Sequence, residues 1–340
     1  MVLELREFQP ATLRAFVESV PNENEYRLSS AFPDENVYDD NFIYNIMSNT
    51  PVIGSKVTGF NSSAPIRSMA EAKQAMGKIT KLQDAYFIDE KTDRQITAPR
   101  QGTDERQAAI ARSLKDVGNL AIGVDDTLEY LRAKLVYDGI VEYTDKFTQT
   151  KVSFVVDRPE ENDFNVSPKW NAENSNPFED ILEAVEQYKK STKTRNNPAR
   201  IDIASDVELA LMKNGMVKQL VYGSADDGRI VTPEQLRSVF SQHNLPEYYV
   251  NRDQTTFEDI VDGERVLVTK DHLESGKVVL YDEVMGFTAR GDVKVDGVYR
   301  HGKFVQTYTE PNPERETIIV GEAAIPALQA VNNNVIMTVL

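Results

Sequence analysis

The 340-residue chain contains no cysteine. That removes disulfide frameworks, thiolate zinc sites and cysteine nucleophiles at once, and it suits a reducing cytoplasm. Histidine is nearly as scarce, with three residues. His243 falls at a predicted helix end, His272 in a Lys-Asp-His-Leu turn and His301 in an Arg-His-Gly turn. A three-histidine metal site would need all of them to converge through folding, so the favoured reading is three ordinary surface histidines. No run approaches the ~18 uninterrupted apolar residues of a membrane-spanning helix. The first residues carry Glu4, Arg6 and Glu7 where a signal peptide would have an apolar core. No membrane contact is therefore expected. The phosphate loop GxxxxGK[ST], the dinucleotide fingerprint GxGxxG, the zinc motif HExxH and the nucleophile elbow GxSxG are all missing, so neither an enzyme nor a cofactor is expected.

Positive charge is also short. Lys and Arg number 38 against 54 Asp and Glu, a formal net charge of −16. Broad nucleic-acid binding needs a positive footprint to displace counterions, so any DNA would be only weakly contacted. What is present in ordinary amount is apolar side chain, at 40%, with 27% charged residues. At ~150 residues per domain, the length allows about two units with real cores.

Residues 10–20 read as a short amphipathic helix between Pro10 and Pro21, with Leu13, Phe16, Val17 and Val20 on one face. An extended arm follows from Phe32 to Ile53. From 51 to 100 the charge reverses: eight bases face five acids, a net +3, leaving −19 on the other 290 residues. The interior GSKVTGFNSSAPIRSMAEAKQAMGKITKL has few large apolar residues to bury. A solvated loop or a nucleic-acid contact would explain it, but the preferred reading is a projection docking on an acidic neighbouring copy through Lys56, Arg67, Lys73, Lys78 and Lys81.

The strongest periodicity comes next. After Thr103 as N-cap and Asp104 and Glu105 in the first turn, the residues Ile110, Leu114, Val117, Ala121, Val124, Leu128, Leu131 and Leu135 alternate spacings of four and three. The spacing predicts a helix from Asp104 to Asp138, on the order of 50 Å long, with one apolar seam. Gly118 and Gly123 are candidate bends. A coiled coil is the competing explanation, but strands and loops on both sides favour packing across a sheet. Gly139 ends the helix, and IVEYTDKFTQTKVSFVV reads as two strands around a turn near Asp145.

Residues 157–177, rich in Pro, Asn and acids, read as a connector between domains. It holds Trp170, the single tryptophan, either an anchor for the connector or a local core residue. Beyond it, helices are expected over 178–188, 206–214 and 233–243, and strands at 200–204, 248–250, 265–269 and 277–281. The chain ends on the apolar strand NNNVIMTVL, which is expected to lie beside the strands after the long helix. The first domain would then be discontinuous and the second inserted into it. Four carboxylate pairs are candidate metal or acid–base groups: Asp39 with Asp40, Asp125 with Asp126, Glu160 with Glu161, and Asp226 with Asp227. None fits a calcium loop. Asp226-Asp227-Gly228 has turn chemistry, and Asp125 and Asp126 fall on the polar side of the helix.

The order of these segments resembles the major capsid proteins of tailed bacteriophages, of the lambda major-head-protein type. The likeness rests on FPDENVYDDNFIYNI leading into PVIGSKV, the basic stretch, the long helix with IVEYTDKF and KVSFVVDRPEEN, the segment SPKWNAENSNPFEDILEAVEQY, and the close ERETIIVGEAAIPALQAVNNNVIMTVL. The resemblance implies an α+β chain with the Johnson, or Hong Kong ninety-seven-like, fold. Its parts would be an N-terminal arm (1–50), an extended loop (51–100), a peripheral domain with the spine helix (101–160 and 300–340), and an inserted axial domain (161–299). It also implies a structural subunit whose hexamers and pentamers build the icosahedral head around double-stranded DNA. Scaffolding, portal and decoration proteins would be its further partners, and it would reside in the virion after assembly in the host cytoplasm. Ile110, Leu114, Val117, Val124, Leu128, Leu131 and Leu135 would be the core face of the spine. The alternatives are a two-domain acidic enzyme working through carboxylates near Asp226 and Asp227 or Glu160 and Glu161, and a cellular cargo-enclosing shell protein of the same fold.

Overall fold

A computed structural model describes residues 2–22, 24–47, 74–98, 103–144, 151–155, 158–261, 263–311 and 314–340. The helices are α1 (Pro10–Ser19), α2 (Glu90–Thr97), α3 (Asp104–Ala133), α4 (Pro177–Thr192), α5 (Ser205–Lys213), α6 (Gly215–Tyr222) and α7 (Pro233–Gln242). The first strands are β1 (Asp34–Asn36), β2 (Asn41–Asn45), β3 (Gln74–Lys78), β4 (Lys81–Ile88), β5 (Ile140–Thr144), β6 (Lys151–Val155), β7 (Asp163–Asn165), β8 (Arg200–Ala204) and β9 (Tyr248–Asn251). The rest are β10 (Gln254–Val261), β11 (Glu264–Asp271), β12 (Lys277–Tyr281), β13 (Gly286–Arg290), β14 (Asp292–Val295), β15 (Val298–His301), β16 (Phe304–Pro311), β17 (Glu314–Leu328) and β18 (Asn334–Thr338).

The chain divides into two compact units, each discontinuous in sequence: Met1–Phe42 with Met76–Arg132 and Phe287–Ala327, and Ile43–Ala75 with Ala133–Gly286 and Leu328–Leu340. In the first, β17 is the central strand, flanked by β4 and β16 over its N-terminal half and joined through β13 to β1. Gly321 lies where both neighbours press closest; a Cβ there would stand 2.5 Å from the Leu82 carbonyl oxygen, so no side chain fits. One face of α3 closes the core. Val117 and Ala121 pack with Phe8, Leu13 and Val17 from the N-terminal segment and with Ile318 and Val320 from β17, and Val124 and Leu128 pack on Ala324.

The long helix passes Gly118 and Gly123 without interruption. It ends in a π-helical turn, Lys134–Asp138, after which Gly139 takes a left-handed φ of 68°. Such a turn admits the extra residue that the alternating four-and-three spacing does not reveal.

The second unit is built on a sheet in the order β7-β18-β12-β8-β9. β7 runs parallel to β18, β8 runs parallel to β9, and the β18-β12-β8 pairs are antiparallel. The C-terminal strand thus joins this sheet, not the hairpin after the long helix as expected. Asn334, Val335, Ile336 and Met337 are buried in succession, which calls for neighbours on both edges and cover on both faces; β5 and β6 form only a two-stranded ladder. The 157–177 segment also differs from the expected connector. It contributes β7, the wholly buried Asn162, and Trp170, 1% exposed, whose indole Nε1 donates to Asp180 at 2.8 Å. The indole's large apolar area turns a polar-looking segment into core.

Candidate assembly surface

Lys56, Arg67 and Lys73 lie outside the described residues. Lys78 closes β3 and is exposed. Lys81 opens β4 in register with Ala323 of β17, with its ammonium 4.6 Å from the centre of the Phe304 ring; burial holds its pKa below the usual lysine value. From there to the end of α2 the chain folds onto its own first unit. β4 makes eight registered pairs with β17, and Ile88 and Ile96 are buried in the core. The expectation that all of 51–100 lacks a core of its own therefore fails for 81–98. The apolar residues at the C-terminal end, Leu82, Tyr86, Ile88 and Ile96, were diluted in the average by the charges around them.

Along the spine, Val117, Val124, Leu128, Leu131 and Leu135 are buried, while Ile110 and Leu114 are half-buried and pack against the same core cluster. The polar side of the helix is occupied as well. Asp125 pairs with Lys303 at 2.7 Å, and Asp126 accepts from the Tyr26 hydroxyl at 2.6 Å and from Asn24 at 3.1 Å. Burial, then the neighbouring Asp126 carboxylate, raises the Tyr26 pKa far above the usual phenol range. Glu129 accepts from the Leu28 amide at 2.5 Å and pairs with Arg132 at 3.0 Å, and Arg132 donates to Thr288 at 2.9 Å. These buried charges are paired and hydrogen-bonded, as burial requires. They fasten residues 24–32, which include a turn and the 3₁₀ helix Ser29–Ala31, to the helix.

Of the other carboxylates offered for chemistry, Asp227 has an equally local duty. Asp227 is bound by Arg229 at 2.8 Å, and the hydrogen bonds from that residue lower its pKa to about 2. Glu160 and Glu161 are exposed on a short 3₁₀ turn, and the Asp40 carbonyl accepts from the Ile79 amide at 2.8 Å. Among the described residues no group of three or more His, Asp or Glu could hold a metal ion, and no helix is long and apolar enough to cross a membrane.

The histidines part company with expectation at one position. His243 caps α7 and stacks against Phe178 with ring centres 5.3 Å apart, and His301 lies edge-on to Tyr38 at 5.0 Å. His272, in contrast, is buried at 4% exposure, with Nε2 2.8 Å from the Thr255 hydroxyl. Burial, then the positive charge of Lys134, lowers its pKa to about 4. The turn around it is closed against the base of the β10–β11 ladder, where its amide donates to the Asp253 carbonyl.

Composition and periodicity miss the polar centre of the second unit. Tyr137, in the π turn, and Tyr281, on β12, both donate to Asp202 Oδ2, at 2.6 and 2.7 Å, and Asn251 donates to the Tyr137 hydroxyl at 3.1 Å. Burial, then the Asp202 charge, drives the Tyr137 pKa well upward. The available signal was an acid in the middle of the apolar strand Arg-Ile-Asp-Ile-Ala.

Neither a protein-family model nor a curated protein matches the sequence. The fold has solved counterparts over nearly its whole length. A structure described as the capsid protein of a prophage from E. coli CFT073 aligns with a TM-score of 0.63 at 15% identity, covering 97% of this chain and 99% of that one. A phage-related protein from Bordetella bronchiseptica RB50 aligns at 0.53 and 12% identity, covering 96% of each chain. The capsid of Myoviridae phage XM1 aligns at 0.50 and 10% identity, covering 95% and 96%. With its long spine helix, its central β17 sheet and a second unit assembled from distant parts of the sequence, the chain has the α+β capsid fold of tailed phages, the Johnson or Hong Kong ninety-seven-like fold.

Proposed function

We propose that this chain is a structural major capsid protein, a non-enzymatic subunit that associates with copies of itself as hexamers and pentamers to form the icosahedral head of a tailed phage. The observation that carries the proposal is the end-to-end match with the prophage capsid structure, 97% of one chain and 99% of the other. The domain assignment that goes with it takes the first compact unit, with the spine helix and residues 81–98, as the peripheral domain and the second, which holds β18, as the axial domain. Double-stranded DNA inside the shell would meet a wall of like charge, since the subunit carries a net −16; repulsion lets the polymer pack without sticking. The basic stretch, through Lys56, Arg67, Lys73, Lys78 and Lys81, would supply attraction to an acidic neighbouring copy. Scaffolding, portal and decoration proteins are the further partners of this reading, and the virion, filled after assembly in the host cytoplasm, is its location.

The test is expression of the full chain, alone and with the scaffolding protein of its own gene neighbourhood, followed by electron microscopy. Closed shells of uniform size are expected. A chain that stays monomeric under every condition overturns the reading, and shells found in cells around protein cargo in place of DNA redirect it to a cellular compartment of the same fold.

A further inference from the structure

β10 and β11 run antiparallel through eight registered pairs, from Gln254 with Asp271 to Val261 with Glu264, and among the described residues form a two-stranded sheet. A lone two-stranded ribbon is marginal in water. This one also carries Leu267, 72% exposed, opposite Glu258. Residues 253–271 hold six acids and two bases, a net −4. Glu258 pairs with Arg265 across the ribbon at 4.0 Å, and the hairpin as a whole stays acidic; an exposed leucine on an acidic ribbon has the makings of a docking arm.

The opposite charge occurs in the same unit. Residues 187–199 hold four bases and no acid. Lys189 is paired with Glu186 at 2.8 Å, while Lys190, Lys193 and Arg195 are exposed. Lys193 caps α4 with a left-handed φ of 53°, and Asn197 ties the following loop by donating to the Asn244 carbonyl at 2.7 Å. This basic knuckle is thus a built turn.

The parallel pair β8–β9 sets the polarity. It is registered from Ile201 with Tyr248 to Ala204 with Asn251. The knuckle leads into the N-terminal end of β8, and the ribbon leaves the C-terminal end of β9, so the two surfaces attach at opposite ends of one strand pair. Surfaces of opposite charge at opposite ends match head to tail, the heterologous geometry that forms a ring wherever the rotation between successive copies closes.

We propose that the β10–β11 ribbon of one copy docks on the knuckle of Lys190, Lys193 and Arg195 of the next copy. The proposal rests on the self-assembly reading above and names a surface through which it operates. Charge steers the encounter and sets the register; Leu267 supplies the apolar contact.

The test is a charge exchange in the full chain, read by sedimentation velocity under assembly conditions across a salt series. Thermal melting checks the fold of each variant. The Lys190→Glu/Lys193→Glu/Arg195→Glu variant and the Glu258→Lys/Asp271→Lys variant should each reduce the assembled fraction at least tenfold at low salt, with melting unchanged. The chain carrying both sets should regain most of it. Leu267→Ser should weaken association at all salt concentrations. If the wild type assembles and the reversed variants assemble equally well, or if the combined set gives no recovery, the ribbon–knuckle contact is wrong and the shell reading stands. A wild-type chain that never assembles removes both.

Discussion

The hydroxyl of Tyr137 donates to Asp202 at 2.6 Å, bonding the π turn after the spine helix to the middle of β8. Asp202 is fully buried, and Tyr281 donates to the same oxygen. Two phenols do there what water would do at the surface. Tyr137→Phe removes one donor and leaves the carboxylate less well satisfied, so stability should fall by about 1–3 kcal/mol. Urea unfolding checks this, and a midpoint equal to wild type would show that the bond contributes nothing.

The spine face makes a larger demand. Leu128 is almost wholly buried between α3 and β17. Leu128→Ala should cost about 2–5 kcal/mol through lost transfer energy and the cavity left behind. Leu128→Asp should abolish the folded subunit, because it places an unpaired charge in that core. Circular dichroism melts distinguish the two, and wild-type stability in the aspartate variant would refute the packing.

His272 links stability to pH. Its pKa is lowered to about 4 in the folded chain, against ~6.5 when unfolded. Between those values the unfolded state binds the proton and the folded state does not, so stability falls as pH drops through this window and is fully present above it. The lowering corresponds to roughly 3 kcal/mol between pH 7 and pH 4. His272→Gln should flatten most of that slope, as measured by urea unfolding at a series of pH values. Parallel slopes in the two proteins would remove His272 as the source.

Trp170 reports on the second unit. As the single tryptophan, buried and bonded to Asp180, it should emit at a blue-shifted wavelength that moves red as that unit unfolds. Trp170→Phe should destabilise by about 1–3 kcal/mol, since Asp180 loses a hydrogen-bond donor and the core loses area. Emission already at the solvent-exposed wavelength in the native protein would contradict the burial.

Much of this architecture could be read from the order of residues. The alternating spacing from Ile110 to Leu135 announced the long helix, because helical geometry repeats at that interval and one face must be apolar to pack. The strands at 200–204 and 277–281 were visible as short branched runs, and Asp226-Asp227-Gly228 as a turn. Local chemistry suffices for such elements. Which distant segments meet is a different matter. Nothing local tells the C-terminal strand to pair with β12 and β7, sends residues 81–88 alongside β17, or buries His272 and Trp170 beneath polar-looking neighbours. Nor does it bring Tyr137, Asp202, Tyr281 and Asn251 to one point. Those outcomes depend on covering both faces of a sheet and satisfying every buried polar group, conditions met only by the whole chain at once, so they became visible only in three dimensions.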